Sequence, residues 1–203
     1  MNLEHLKSLK WADILIFTLF DPRAMFRHIR DTSFSIYPTF LIPAMVTISE
    51  IVILYLLKDS RSLAYYSFTY GWILNFIFLS VTVIITASLI DMAGQFAGFK
   101  GSGKRLIALV NLSLFPKIFL LPFVYIFSVI GFAPVFFYCL ISFGLFIWSA
   151  FIAVLGISEM HGAGFGKSLL VYVFPFLFFL ITGFFTFLLS LIGFFQLVFR
   201  AVS

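Results

Sequence analysis

Five apolar stretches, each long enough to cross a bilayer, leave this chain little choice of solvent or fold. They lie near 36–57, 70–91, 106–130, 134–157 and 168–199. Each reaches or exceeds the ~20 apolar residues that traverse a hydrocarbon core of about 30 Å. Lipid offers a peptide group no hydrogen-bond partner, so each stretch is predicted to be a helix that satisfies its own backbone. The fold class expected is all-α, a polytopic membrane protein: a bundle of five transmembrane helices preceded by an N-terminal interfacial amphipathic helix. Of the 203 residues, 63% are hydrophobic and 10% charged, against ~45–50% and ~25% in soluble domains. Too little chain lies outside the stretches for a soluble domain. The organisation expected is a cytoplasmic or interfacial segment at 1–35 and a membrane domain at 36–203.

Orientation follows from the bases, because Lys and Arg are retained on the cytoplasmic side. Lys7, Lys10, Arg23, Arg27 and Arg30 precede the first stretch; Lys100, Lys104 and Arg105 follow the second; Lys167 follows the fourth. The other side receives only Lys58, Arg61 and Arg200. This asymmetry predicts a cytoplasmic N-terminus and an outside C-terminus, in a cell (plasma) membrane. The formal charge of +5 is then explained by anionic lipid headgroups rather than nucleic acid. Arg23, Arg27, Arg30, Lys100, Lys104, Arg105 and Lys167 are the expected headgroup or partner contacts. The start, Met1–Lys10, is polar and no small-residue cleavage site follows the first apolar segment, so no signal peptide is expected. The single cysteine, Cys139, excludes an internal disulfide and a cysteine metal cage.

Between Trp11 and Arg30, charges alternate with Ile14, Phe17, Met25, Phe26 and Ile29, and Pro22 follows Asp21. This pattern predicts an interfacial helix, a break at Asp21-Pro22, and a second basic helical turn lying on the inner leaflet. The alternative is a solvated tail.

Each span carries small or polar residues at helical spacing: Thr47 and Glu50; Asn75, Thr82 and Thr86; Ser113 and Lys117; Cys139, Ser142, Ser149, Ala153 and Gly156; Thr182, Thr186 and Ser190. Such faces ordinarily pack helix on helix, which would leave many of the 31 Phe residues to lipid. The last stretch is read as one tilted helix, since division at Gly183 leaves halves too short to cross. Glu50 and Lys117 are the costly residues, an isolated charge at mid-bilayer costing at least ~2.5–3.5 kcal/mol. They are expected to compensate each other, with Asn75 or Asn111 as further partners. The alternatives are a protonated Glu50 with a snorkelling Lys117, or a proton or ion pathway. Pro116 and Pro122 should bend the third span near Lys117.

Two connections imitate phosphate-binding loops. In Gly98–Arg105 an Arg stands where the metal-binding hydroxyl belongs; in Gly162–Ser168 the first Gly of the motif would fall on His161. Neither follows a buried strand of an α/β domain, so tight turns are expected. Glu159 and His161 are read as part of a polar cytoplasmic loop, too few for a zinc site. No catalytic residue, metal or cofactor is expected.

The order of features resembles the Yip domain family (Ypt/Rab-interacting proteins). Phe20-Asp21-Pro22-Arg23-Ala24-Met25-Phe26-Arg27-His28-Ile29 is similar to its entry segment, Gly98–Pro116 to its Gly-rich loop and Ser-x-x-Pro helix, and Glu159-Met-His161-Gly162 with Lys167-Ser168 and Pro175 to its last loop and fifth helix. The resemblance implies five spans, a cytoplasmic N-terminus and a short exposed C-terminus. Eukaryotic members resemble adaptors that recruit small GTPases. The long pre-membrane segment for that task is missing here, which implies a prokaryotic type. The function expected is a non-enzymatic membrane scaffold or accessory protein with protein partners, a transporter assembly among them. The competing reading is a small transporter or channel subunit using Glu50 and Lys117.

Overall fold

The computed structural model describes residues 11–31, 35–57, 70–131 and 133–202. Lys7, Lys10, Lys58 and Arg61, which entered the charge count, lie outside the described residues. The helices are α1 (Trp11–Phe20), α2 (Pro22–Asp31), α3 (Leu41–Leu56), α4 (Trp72–Phe96), α5 (Gly103–Ser113), α6 (Leu120–Ile130), α7 (Pro134–His161) and α8 (Phe165–Val202). Short 3₁₀ segments, Tyr37–Phe40 and Phe115–Phe119, lead into α3 and α6. Five of the helical stretches are long and apolar enough to cross a membrane: Tyr37–Leu56, Trp72–Phe96, Gly103–Ile130, Val135–His161 and Phe165–Ile192. No strand occurs among the described residues.

Local chemistry sets the breaks. The Asp21 carboxylate accepts the Ala24 N–H at 3.1 Å, capping α2, and Pro22 opens that helix where its missing N–H costs nothing. Pro116 interrupts the third span: Leu114 donates to the Asn111 carbonyl and Lys117 to the Leu114 carbonyl, both three residues back. The ladder resumes at Leu120, and Pro122 falls in the first turn of α6. At the end of α7, Gly162 takes φ +60° and donates to the Ser158 carbonyl, a left-handed cap that suits glycine. The expected end near Ile157 is thereby corrected: α7 continues to His161, so Glu159 and His161 occupy its last turn and not a loop. The second span likewise runs past Asp91 to Phe96. The last helix is continuous over 38 residues, through Pro175 and Gly183.

The hydrophobic core gathers at the end of the bundle that holds α2. Phe26, Ile42, Ile90, Leu109, Ile152 and Ile157 are all at 1% exposure or less. The α3, third and fourth spans bury 44%, 50% and 44% of their apolar windows; α4 buries 17% and α8 only 6%. The bundle is therefore a packed trio with two flanking helices left to lipid. That corrects two of the expected packing stripes. On α4 the covered face is Val83, Ala87 and Ile90, while Asn75 and Thr82 are exposed. On α8 Thr182, Thr186 and Ser190 are exposed, and each hydroxyl donates to the carbonyl four residues back at 2.8–2.9 Å. A hydroxyl satisfied within its own helix needs no neighbour.

Candidate functional site

The strongest amphipathic element is α2, and its apolar face meets protein rather than a bilayer surface. Met25, Phe26 and Ile29 recur at helical spacing and are completely buried. The half-buried side chains expected of an interfacial helix are corrected accordingly. The receptor is α7. At Gly156 an added Cβ would lie 2.7 Å from Leu109 Cδ1 and 2.9 Å from Phe26 Cδ2 and Cε2. Glycine is what lets α2 and α5 both close on α7 at this level. Helix α1 continues the contact, with Ile14 in the same core cluster and the Thr18 hydroxyl donating to the Ile14 carbonyl at 2.7 Å.

The polar face of α2 is anchored at the C-terminal end of α7. The Glu159 carboxylate stands 4.0 Å from Arg23 Nε and 3.5 Å from Arg27 Nε. Arg30 Nη1 donates to the Glu159 backbone carbonyl at 2.9 Å. That carbonyl is one of the last four of α7, which have no partner inside the helix. Three guanidinium groups also face the negative end of its dipole. Arg30 Nε donates to Asp31 Oδ1 at 2.8 Å, and this hydrogen bond holds the Asp31 carboxyl below its ordinary range and the guanidinium above its own. Burial pushes the His28 imidazole down, with Asp31 pulling partly back.

The two phosphate-loop imitations each have a backbone or hydroxyl donor tied internally, while the Ser102 hydroxyl is buried without a partner among the described residues. Ser102 N–H donates to Asp91 Oδ1 at 2.8 Å, and Gln95 Nε2 donates to Asp91 Oδ2 at 3.0 Å. A carboxylate of the chain thus sits where a phosphate would need to lie. Ser168 is buried inside α8 and its hydroxyl donates to the Gly164 carbonyl at 3.2 Å. Between the loops, His161 stacks on Phe99 with ring centroids 4.9 Å apart. Lys100, Lys104, Arg105 and Lys167 are exposed around this end.

The intramembrane residues divide. Glu50 and Lys117 line one cavity of about 430 Å³ between α3, the 3₁₀ segment of the third span and α7, together with Tyr138 and Ser142. They do not form an ion pair within 4.0 Å; among the described residues such pairs are Arg23–Glu159, Arg27–Glu159 and Arg30–Asp31. Asn75 lies away from the cavity, exposed on α4. Asn111 is fully buried elsewhere: its Nδ2 donates to Thr39 Oγ1 at 2.9 Å, and Thr39 Oγ1 donates to the Ile36 carbonyl at 2.6 Å. This relay ties the start of the first span to the third. Sequence reasoning placed Gly156 on a packing stripe, which its close contacts bear out, but missed α2 as what packs there and Glu159 as an anchor. The available signal was the arginine spacing of four and three residues on α2, which calls for one opposing carboxylate.

A family profile described as the Yip1 domain matches residues 16–197. No curated protein and no solved structure matches the chain.

Proposed function

The chain belongs to the Yip1 domain family, and on that premise we propose that it acts without catalysis, as a membrane scaffold or accessory protein that holds other membrane components. The observation that carries this reading is the closed end of the bundle. The α2 helix plugs it with Met25, Phe26 and Ile29, all at 0% exposure, and the Ser102 N–H and the Ser168 hydroxyl of the two glycine loops are bonded within the chain. What is displayed is surface: the exposed bases Lys100, Lys104, Arg105 and Lys167, and the bare apolar faces of α4 and α8. The base count supports placing this end in the cytoplasm of a cell membrane, with anionic headgroups around it.

A photo-crosslinking amino acid at Lys104 and at Leu180, in native membranes, tests the reading. Protein adducts of defined mass are expected from at least one position. Lipid adducts alone at both would remove the scaffold reading.

A second reading, a small transporter or channel subunit, is favoured by the cavity that Glu50 and Lys117 share. Continuation of that cavity across the membrane would have to pass Ile42, Val46, Leu112 and Ile152, all at 1% exposure or less. The scaffold reading is therefore preferred.

A further inference from the structure

The Glu50–Lys117 cavity has a property that compensation between the two charges does not explain. Both side chains face the same space, yet they do not close on each other within 4.0 Å. Each ionised group at this depth calls for an opposite charge, and a species bearing both signs answers both. The volume, about 430 Å³, is more than ten times the ~30 Å³ that one water occupies in the liquid, so a lone ion would leave most of it unfilled. It falls in the ~300–1,000 Å³ range of small-molecule sites.

The cavity also has a direction. Its α7 wall runs from Tyr138, one turn into the helix, to Phe146, so it extends from the end opposite α2 toward the middle of the span. It opens sideways: Glu50 is exposed, and at its rim Phe143 is 64% and Phe146 46% exposed. Those rings face the surroundings that hold acyl chains in a bilayer.

We propose that this cavity binds a zwitterionic phospholipid headgroup carrying an ammonium and a phosphate, taken laterally from the leaflet opposite α2. The ammonium donates to the Glu50 carboxylate. The phosphate accepts from the Lys117 ammonium, a compact point charge suited to it. The acyl chains leave past Phe143 and Phe146. The site is independent of the scaffold reading, since a scaffold or a conduit can equally carry a bound lipid.

Cys139 lines the cavity, is exposed and is the only cysteine of the chain, so the native sequence carries its own reporter. The rate of maleimide alkylation of Cys139 in mild detergent is measured with dioleoyl phosphatidylethanolamine, dioleoyl phosphatidylglycerol, or soluble glycerophosphoethanolamine. At ten times its Kd a ligand leaves about a tenth of the sites free, so phosphatidylethanolamine should slow alkylation about tenfold. Phosphatidylglycerol, which lacks the ammonium, should leave the rate unchanged. In Glu50→Gln that preference should vanish, and in Ser142→Leu, which fills the cavity from α7 without touching either charge, protection should be lost. Equal protection by both lipids in the native chain, or by neither, overturns the proposal. Protection by glycerophosphoethanolamine as strong as by the lipid overturns the bilayer source.

Discussion

Gly156→Ala should loosen α2 from the bundle without unfolding the spans. The new methyl would lie 2.9 Å from two ring carbons of Phe26 and 2.7 Å from Leu109 Cδ1, closer than carbon atoms pack. Phe26 is completely buried and has nowhere to turn within its seat. Overpacking of this kind costs about 1–3 kcal/mol. Alanine also favours helix over glycine by about 1 kcal/mol, but α7 is helical whether α2 is docked or free, so that gain cancels in the docking equilibrium. The hydrophobic contribution largely cancels too, because an undocked α2 lays Met25, Phe26 and Ile29 on lipid instead. Packing strain against Phe26 is what remains, since the Leu109 contact joins two spans and persists when α2 is free; 1–3 kcal/mol is therefore a ceiling, and corresponds to at most about a 5- to 150-fold rise in the undocked population. The assay is the alkylation rate of a thiol introduced as Met25→Cys, at a position with 0% exposure, in a Cys139→Ser background. Gly144→Ala is the control, since a Cβ there meets nothing within 4 Å. Equal rates for the two variants would refute the seat at Gly156.

Glu159→Gln removes the partner of Arg23 and Arg27, whose side chains are 62% and 54% exposed. Pairs so exposed are worth about 0–1 kcal/mol, so the same thiol should react no more than about fivefold faster, well below the upper range for Gly156→Ala. Docking should weaken in acid. The docked His28 has its pKa lowered, so its contribution is present above the ordinary value of about 6.5 and is lost as pH falls below it; the protection factors of α2 amides, taken against the base-catalysed intrinsic rate at each pH, should fall below that pH and stay flat above it. Asn111→Ala removes the donor to Thr39 and leaves a void among buried neighbours; melting in detergent should show a loss of about 1–3 kcal/mol. A melt indistinguishable from the parent would mean the relay contributes nothing.

The spans were readable because one physical demand, an apolar helix long enough for the hydrocarbon core, sets both composition and length at once. The break at Pro116 was readable for a similar reason, since a missing N–H has a local effect. The docking of α2 was not. Met25, Phe26 and Ile29 form the same stripe whether the apolar surface opposite is lipid or protein, and the partner Glu159 is 129 residues away from Arg30. The hydroxyls on α4 and α8 misled because Thr82 and Thr182 bond carbonyls of their own helices, an option that spacing does not distinguish from packing. Glu50 and Lys117 were grouped by depth alone, and both line one cavity. That they share a cavity rather than an ion pair depends on how α3 and α7 flank the 3₁₀ segment, which periodicity does not encode.

Ion and proton flux in proteoliposomes tests the central claim, that this bundle displays surfaces and does not conduct. The purified chain and Glu50→Gln are reconstituted at equal density beside empty liposomes, and flux is followed with a pH-sensitive dye and a potential-sensitive dye. The core closed by Ile42, Val46, Leu112 and Ile152 predicts traces that coincide for all three preparations. Flux above empty liposomes that Glu50→Gln abolishes would contradict the account and establish the cavity as part of a conduit.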